Sequence, residues 1–188
     1  YDFKDTLITS ISTRDLDKKN FSRFFLKEIN DTEVFIKRTI KNYLDLENNK
    51  IINMNNLLSP KIEKLLKQKK IKNIIFTGMG SCYTAAVGIS KYLSEKLKSL
   101  KIFNIKIQAT VASEGSAFYL SNDMRDSLIV VLAQSGTTID TNIFAKMGRE
   151  RGAYTISIVN KRDGDITSIV ENNLYLGNGR DVELSVPS

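Results

Sequence analysis

The chain of 188 residues contains no histidine, no tryptophan and a single cysteine, Cys82. Histidine is the most frequent general base and metal ligand, so its absence excludes a Ser-His-Asp triad, a Cys-His pair and a histidine-bound zinc ion within this chain. One cysteine excludes an intramolecular disulfide and is typical of a reducing compartment. We therefore expect a cytoplasmic protein whose own residues hold no metal ion or other cofactor.

Long apolar runs and strong compositional bias are also missing. No apolar run approaches the ~20 residues that a membrane-spanning helix requires, and the first twenty residues lack the apolar core of a signal peptide. With 41% hydrophobic and 26% charged residues, two prolines and ten glycines, the composition is that of a globular domain. Because the chain begins with Tyr1 and not with Met, we expect a fragment or a processed chain. The lack of long apolar runs predicts no membrane partner.

Positive charge is in modest excess, with 28 basic against 21 acidic residues and a net charge of +7. Most of the basic residues are lysines that are spread among acidic residues and do not alternate with aromatic ones. This arrangement favours an ordinary solvated surface over a nucleic-acid interface.

We interpret the first seventy residues as an arm (1–19) and a helical extension (20–70). The segment 20–46 is rich in phenylalanine and repeats its apolar residues at helical spacing, with a possible break at Asn30-Asp31. Its apolar face could pack on its own domain or dock on a second domain or subunit. Ser59-Pro60 predicts the start of a short helix that runs to Lys70.

From residue 71 onwards, short apolar runs alternate with amphipathic segments. Strands are predicted within 71–78, 102–112, 126–136, 153–160 and 174–179, and helices within 81–100, 137–152 and 163–173. This alternation is typical of a parallel sheet covered by helices on both faces. We therefore assign residues 71–188 to one α/β domain.

Two of the predicted strands end in turns that are rich in glycine and hydroxyl groups, TGMGSCY (77–83) and AQSGTT (133–138). Ligands of open parallel sheets bind beyond the carboxyl ends of the strands, and a helix that begins there favours an anion. Each turn taken alone is also explained as a tight strand–helix connection or, at Thr137 and Thr138, as a helix cap. Two such turns on one sheet indicate a phosphate-binding crevice if their strands are close together.

The order GMGSCYTAA, ASE (112–114), AQSGTTIDT, SIVN and ELSVPS resembles the sugar isomerase (SIS) family. Within that family the motifs are most similar to the isomerase part of the glutamine–fructose-6-phosphate aminotransferases. The resemblance covers residues 20–188 and implies a three-layer αβα sandwich with a five-stranded parallel sheet that binds phosphosugars. It also implies a second SIS domain, a glutaminase domain and a homodimer in the parent enzyme.

Carried over to this chain, the resemblance assigns the phosphate of a hexose 6-phosphate to Gly80, Ser81, Cys82, Gln134, Ser135 and Thr138. It assigns sugar contacts to Val186 and Ser188, and supporting roles behind the ligand to Glu114 and Glu183. The chain departs from the family at Cys82 and Ala133, where serine is usual, and at Thr137, where glutamate is usual. A thiol donates hydrogen bonds more weakly than a hydroxyl.

The isomerising Glu, Lys and His of the family lie outside this chain, so we expect the chain alone to bind the sugar without converting it. Two other hypotheses stay open at this point. One is a different SIS enzyme, such as a sugar-phosphate isomerase or a deglycase. The other is a phosphosugar-sensing regulator with a helix-turn-helix, for which residues 20–70 lack a recognition helix.

Overall fold

The computed structural model describes Lys18, residues 20–53 and residues 58–177. The domain consists of six helices and seven strands in the described ranges. The helices are α1 (Phe24–Tyr43), α2 (Pro60–Lys67), α3 (Ser81–Ser99), α4 (Ala112–Phe118), α5 (Ile139–Glu150) and α6 (Ile166–Ile169). The strands are β1 (Leu44–Asp45), β2 (Lys50–Ile51), β3 (Asn73–Gly78), β4 (Lys106–Val111), β5 (Ser127–Ala133), β6 (Tyr154–Val159) and β7 (Asn172–Tyr175).

Five of these strands form one parallel sheet in the order β4-β3-β5-β6-β7. The central strand β5 is buried along its whole length, as its apolar sequence SLIVVLA predicts. The predicted α/β class, with a five-stranded parallel sheet between helices and a preceding helical segment, is therefore confirmed.

Alternate residues of the strands face two separate apolar layers. One layer contains Ile75, Ile129 and Val131 and is covered from α4, α5 and α6 by residues such as Phe144 and Ile166. The opposite layer contains buried residues of the sheet together with residues of α2 and α3: Ile62, Ile74, Phe76, Ala86, Leu128, Val130, Leu132 and Ile156. Helices α2 to α6 are thus fixed by burying apolar residues against the sheet.

Helix α1 is continuous through Asn30-Asp31, so the expected break is wrong. Asp31 forms an ion pair with Lys27, one turn earlier, at 2.9 Å, which supports the helix at this point. No residue of α1 is fully buried. Its stripe of Phe25, Ile29, Ile36 and Ile40 is 36–51% exposed, so the described part of the domain does not cover this face.

The C-terminal end of α1 is joined to the edge strand β7. The Tyr43 hydroxyl donates to the carbonyl oxygen of Tyr175 at 2.8 Å and accepts from the Tyr175 N–H at 3.1 Å. The Thr39 hydroxyl accepts from the N–H of Gly177 at 2.7 Å, and the Asn42 amide donates to the Gly177 carbonyl oxygen. Side chains of the helix therefore satisfy the backbone groups at the open edge of the sheet.

Between α1 and α2, strands β1 and β2 form a short antiparallel pair within the segment assigned to the helical extension. The Ser59 hydroxyl caps α2 by accepting from the Ile62 N–H at 3.3 Å, as predicted. This helix ends at Lys67, three residues before the predicted end. Within the described ranges, no helix has the length and apolar character needed to cross a membrane.

Helix α4 was not predicted from the sequence ASEGSAF. It is held in place by close packing on α5, because a Cβ atom at Gly115 would lie 2.8 Å from Cδ2 of Phe144. A side chain at this position would push the two helices apart. Tertiary packing thus forms a helix that its two serines and one glycine do not favour locally.

Candidate phosphate-binding site

The two predicted turns lie side by side at the carboxyl edge of the sheet. β3 and β5, which precede them, are hydrogen-bonded neighbours with Thr77 opposite Val131. The chain leaves β3 for β4 on one side and then crosses over to β5 on the other, so the order of strands reverses between β3 and β5. Such a reversal is the place where open α/β sheets form a ligand crevice.

The first turn connects β3 to α3 through two glycines with different roles. A Cβ atom at Gly78 would lie 2.9 Å from the backbone of Cys82 and 3.0 Å from the carbonyl oxygen of Leu132, so the turn is packed tightly against the end of β5. Gly80 has φ +55° and open space around its Cα. A glycine at this position permits the backbone conformation and leaves room for a ligand next to the main chain.

The second turn connects β5 to α5 and is built around Gly136, which has φ +73°. The Ser135 hydroxyl lies 2.8 Å from the Thr137 hydroxyl and accepts from the Thr137 N–H at 3.3 Å. These bonds hold the two hydroxyl groups together on one turn. The two hydroxyl groups form a compact set of neutral donors of the kind that binds an oxyanion without a metal ion.

Neither helix that begins at the crevice is capped by a side chain. The N-cap residues are Gly80 for α3 and Thr138 for α5, and neither makes a side-chain capping hydrogen bond. The interpretation of Thr138 as an ordinary helix cap is therefore wrong. The dipoles of this 19-residue and this 12-residue helix favour an anion at the crevice, where the Cys82 N–H already donates to the carbonyl oxygen of Met79 at 3.1 Å.

Polar and charged residues of the neighbouring strands border the same edge. Glu114 is exposed in the first turn of α4, which follows β4 directly. Lys161 and Arg162 follow β6, and the Arg162 guanidinium lies 4.2 Å from the centre of the Tyr175 ring. The described residues contain no group of three His, Cys, Asp or Glu side chains that could hold a metal ion.

Six of the residues assigned from the sequence thus lie on the two adjacent turns: Gly80, Ser81, Cys82, Gln134, Ser135 and Thr138. Ser81 and Thr138 are exposed, whereas Cys82, Gln134 and Ser135 are half-buried. The remaining assignments, Glu183, Val186 and Ser188, lie outside the described residues.

Two residues at the site were missed by the sequence analysis, Asn142 and Gly164. The Asn142 side chain donates to the carbonyl oxygen of Gly136 at 3.3 Å, and Gly164 packs against the backbone of Ser135. The only sequence signal was a glycine between two aspartates at 163–165, which marks a turn without showing what the turn contacts.

This chain matches no family model, but it is similar in sequence and in fold to several known proteins. It is 33% identical over 187 residues to the glutamine–fructose-6-phosphate aminotransferase (isomerizing) of Wigglesworthia glossinidia brevipalpis, covering 98% of this chain and 28% of that relative. It is 27% identical over 194 residues to the protein of the same name from Pyrococcus horikoshii, covering 97% and 29%. The chain spans less than a third of the length of these curated relatives.

Among solved structures, the C-terminal domain of glucosamine-fructose-6-phosphate aminotransferase from Francisella tularensis superposes with a TM-score of 0.66. The sequence identity is 21%, and the match covers 87% of this chain and 42% of that chain. This likeness establishes the fold, while the curated relatives establish the sequence relationship. The chain is therefore similar in sequence to one segment of the glutamine–fructose-6-phosphate aminotransferases and has the fold of the C-terminal domain of one of them.

Proposed function

We propose that this chain binds a hexose 6-phosphate as the SIS domain of a glutamine–fructose-6-phosphate aminotransferase that makes glucosamine 6-phosphate. The observation that carries the proposal is the pair of hydroxyl-rich turns on neighbouring strands β3 and β5. Both turns lead into helices whose N-termini lack a side-chain cap. This arrangement suits a doubly charged phosphate group better than a neutral sugar alone.

The phosphate occupies the crevice between the two turns. Backbone N–H groups at the start of α3 and α5 face it, and the helix dipoles place partial positive charge there. The hydroxyls of Ser81, Ser135 and Thr138 and the amide of Gln134 supply neutral hydrogen bonds. Cys82 supplies only a weak donor, so we assign less of the affinity to it.

We assign the contacts with the sugar ring to Val186 and Ser188, and supporting roles behind the ligand to Glu183 and Glu114. The domain occupies residues 71–188, after an arm at 1–19 and a helical extension at 20–70. The chain alone does not isomerise the sugar, because it has no histidine and the proton transfer needs a base within hydrogen-bond reach.

The remaining parts of the parent protein follow from the same proposal. The matched relatives are more than three times as long as the segment that this chain matches, which leaves room for a second SIS domain and a glutaminase domain. The half-exposed stripe of α1 is suited to docking on such a second domain or on the partner of a homodimer. We assign the parent protein to the cytoplasm.

Isothermal calorimetry with glucose 6-phosphate and with unphosphorylated glucose tests this function. The phosphorylated sugar binds and glucose does not, and Ser135→Ala weakens binding by roughly ten- to a hundredfold, because a hydrogen bond to a charged group is worth ~1.5–3 kcal/mol. Cys82→Ser tightens binding by restoring a hydroxyl. The matched control is Ser99→Ala at the opposite end of α3, which leaves affinity unchanged. Equal affinity for both sugars contradicts the proposal.

A further inference from the structure

The second turn is held from behind by the loop that follows β6. The Lys161 N–H donates to the carbonyl oxygen of Gln134 at 3.2 Å, and the Ile166 N–H donates to the carbonyl oxygen of Gly136 at 2.9 Å. We call residues 161–166 the backing loop. Two carbonyl groups of the turn are thereby bound on the side of the backing loop.

Gly164 brings the backing loop into direct contact with the carbonyl group of Ser135, which lies between those of Gln134 and Gly136. A Cβ atom at Gly164 would overlap the carbonyl oxygen of Ser135 and would lie 2.7 Å from the Cα of Gly136. In the reverse direction, a Cβ atom at Gly136 would lie 3.0 Å from the Cα of Gly164 and 2.8 Å from a methyl group of Ile166. The turn and the loop are interlocked through backbone atoms that no side-chain rotation can move away.

Asn142, on the first turns of α5, adds a third attachment. Its Nδ2 donates to the Gly136 carbonyl oxygen at 3.3 Å, beside the bond from Ile166. Its Oδ1 is buried and has no hydrogen-bond partner among the described residues. A buried acceptor without a partner is unfavourable for stability. The arrangement at Asn142 is therefore better explained by its hold on the turn than by its contribution to stability.

We propose that the backing loop, through Gly164, and the side chain of Asn142 are positioning elements of the phosphate site. They draw the carbonyl groups of the turn Gln134–Gly136 away from the crevice, so that the N–H and hydroxyl groups of the turn face the anion. The affinity for phosphate then depends on residues that do not touch the ligand. This inference rests on the proposed function and names how the same site is held in its binding geometry.

Two variants test the inference against one matched control. Gly164→Ala forces the backing loop and the turn apart, and Asn142→Ala removes one donor from Gly136. Gly88→Ala is the control, because a Cβ atom at Gly88 meets nothing within 4 Å. In calorimetry with glucose 6-phosphate, each of the two variants binds at least about tenfold more weakly than the wild type, whereas the control binds equally well.

Thermal unfolding separates positioning from a purely structural role. Asn142→Ala removes a buried acceptor without a partner and introduces a better helix former, so its melting temperature stays equal or rises while its affinity falls. A structural role predicts that affinity and melting temperature fall together. An Asn142→Ala protein with wild-type affinity overturns the inference, and this variant decides the question if Gly164→Ala does not fold.

Spectra of the ligand-free protein distinguish failure of this inference from failure of the proposed function. In ¹⁵N–¹H correlation spectra, Gly164→Ala and Asn142→Ala shift the amide signals of residues 134–138, and Gly88→Ala does not. If the wild type binds no glucose 6-phosphate, the proposed function fails, and the amide shifts still show whether the backing loop sets the turn. If the amide signals of the turn are unchanged in both variants, the positioning inference fails at any affinity.

Discussion

Replacing Tyr43 by phenylalanine removes one hydroxyl that makes two hydrogen bonds at the open edge of the sheet. The hydroxyl donates to the carbonyl oxygen of Tyr175 at 2.8 Å and accepts from the Tyr175 N–H at 3.1 Å. Both bonds are made to β7, which is the last strand of the sheet. The aromatic ring and its packing remain in the variant, so the substitution isolates these two bonds.

The expected loss of stability follows from the number of bonds. Each intramolecular hydrogen bond contributes ~1 kcal/mol net, so Tyr43→Phe lowers the free energy of unfolding by about 2 kcal/mol. In a domain of this size that corresponds to a melting temperature roughly 4–8 °C lower. Urea unfolding measures the same change as a lower midpoint with an unchanged slope.

The pH dependence gives an independent check on the same residue. Burial is the main cause that raises the pKa of Tyr43 above its usual value near 10, with the bond to Tyr175 and the charge of Arg162 acting in the opposite direction. Because the pKa is higher in the folded state, the stability contributed by the neutral Tyr43 hydroxyl is fully present below pH 10. It is lost as pH rises through the pKa of the folded state. Tyr43→Phe lacks this alkaline loss.

The control for both measurements is Tyr92→Phe, since Tyr92 is 66% exposed and lies in the middle of α3, not on the helix that is bonded to β7. That variant should unfold within about 0.5 kcal/mol of the wild type, as surface substitutions usually do. The reasoning about the sheet edge is refuted if Tyr43→Phe is as stable as the control, or if both variants retain the same alkaline loss of stability.

Three further predictions concern single residues away from the site. Gly115→Ala destabilises the domain by ~1–3 kcal/mol in urea unfolding, because its Cβ atom collides with the ring of Phe144; wild-type stability would show that α4 does not approach α5 closely. Gly88→Ala raises stability by roughly 0.5–1 kcal/mol, since it lies in a helix with open space around it, and a lower midpoint would contradict this. The hydrogen bonds from Arg125 lower the pKa of Asp123 to about 2, so the stability from this pair is present above pH 4 and is lost as pH falls towards 2. Asp123→Asn removes that part of the acid dependence of unfolding. An acid unfolding profile identical to that of the wild type would argue against the pair.

Local sequence patterns were sufficient to predict most of the sheet. β3, β5 and β6 lie in short apolar runs, and β3 is followed at once by a glycine-containing turn and a helix. β7 begins with two asparagines that the sequence pattern had assigned to a helix. The end of α5 was equally clear, because Gly152 follows it with φ +92°, a conformation that favours glycine. Such signals depend on a few adjacent residues, so they can be read without knowledge of the fold.

Features that depend on distant contacts could not be predicted in this way. Helix α4 exists because Gly115 fits under Phe144, a residue about thirty positions later in the chain. The continuity of α1 through Asn30-Asp31 depends on side-chain partners that outweigh the local preference of these residues for helix ends. The exposure of its apolar stripe could not be foreseen, because helical periodicity shows which residues share a face and not what covers them.

One part of the candidate site could be predicted from local sequence patterns, and another part could not. The two turns were identified from their glycines and hydroxyl groups, and their proximity needed only the pairing of β3 with β5. The roles of Asn142 and Gly164 depend on where the loop after β6 passes behind the second turn. That path is a property of the folded chain, and no spacing in the sequence reports it.

The central claim is that both turns together form one phosphate site, and a titration followed by ¹⁵N–¹H correlation spectra tests it most directly. On addition of glucose 6-phosphate to the wild-type chain, the largest amide shifts should occur in residues 80–84 and 135–139, with the same apparent affinity at both turns. Unphosphorylated glucose should shift neither set. Shifts at only one turn, or largest shifts at the opposite edge of the sheet near Lys72 and Lys106, would contradict the account.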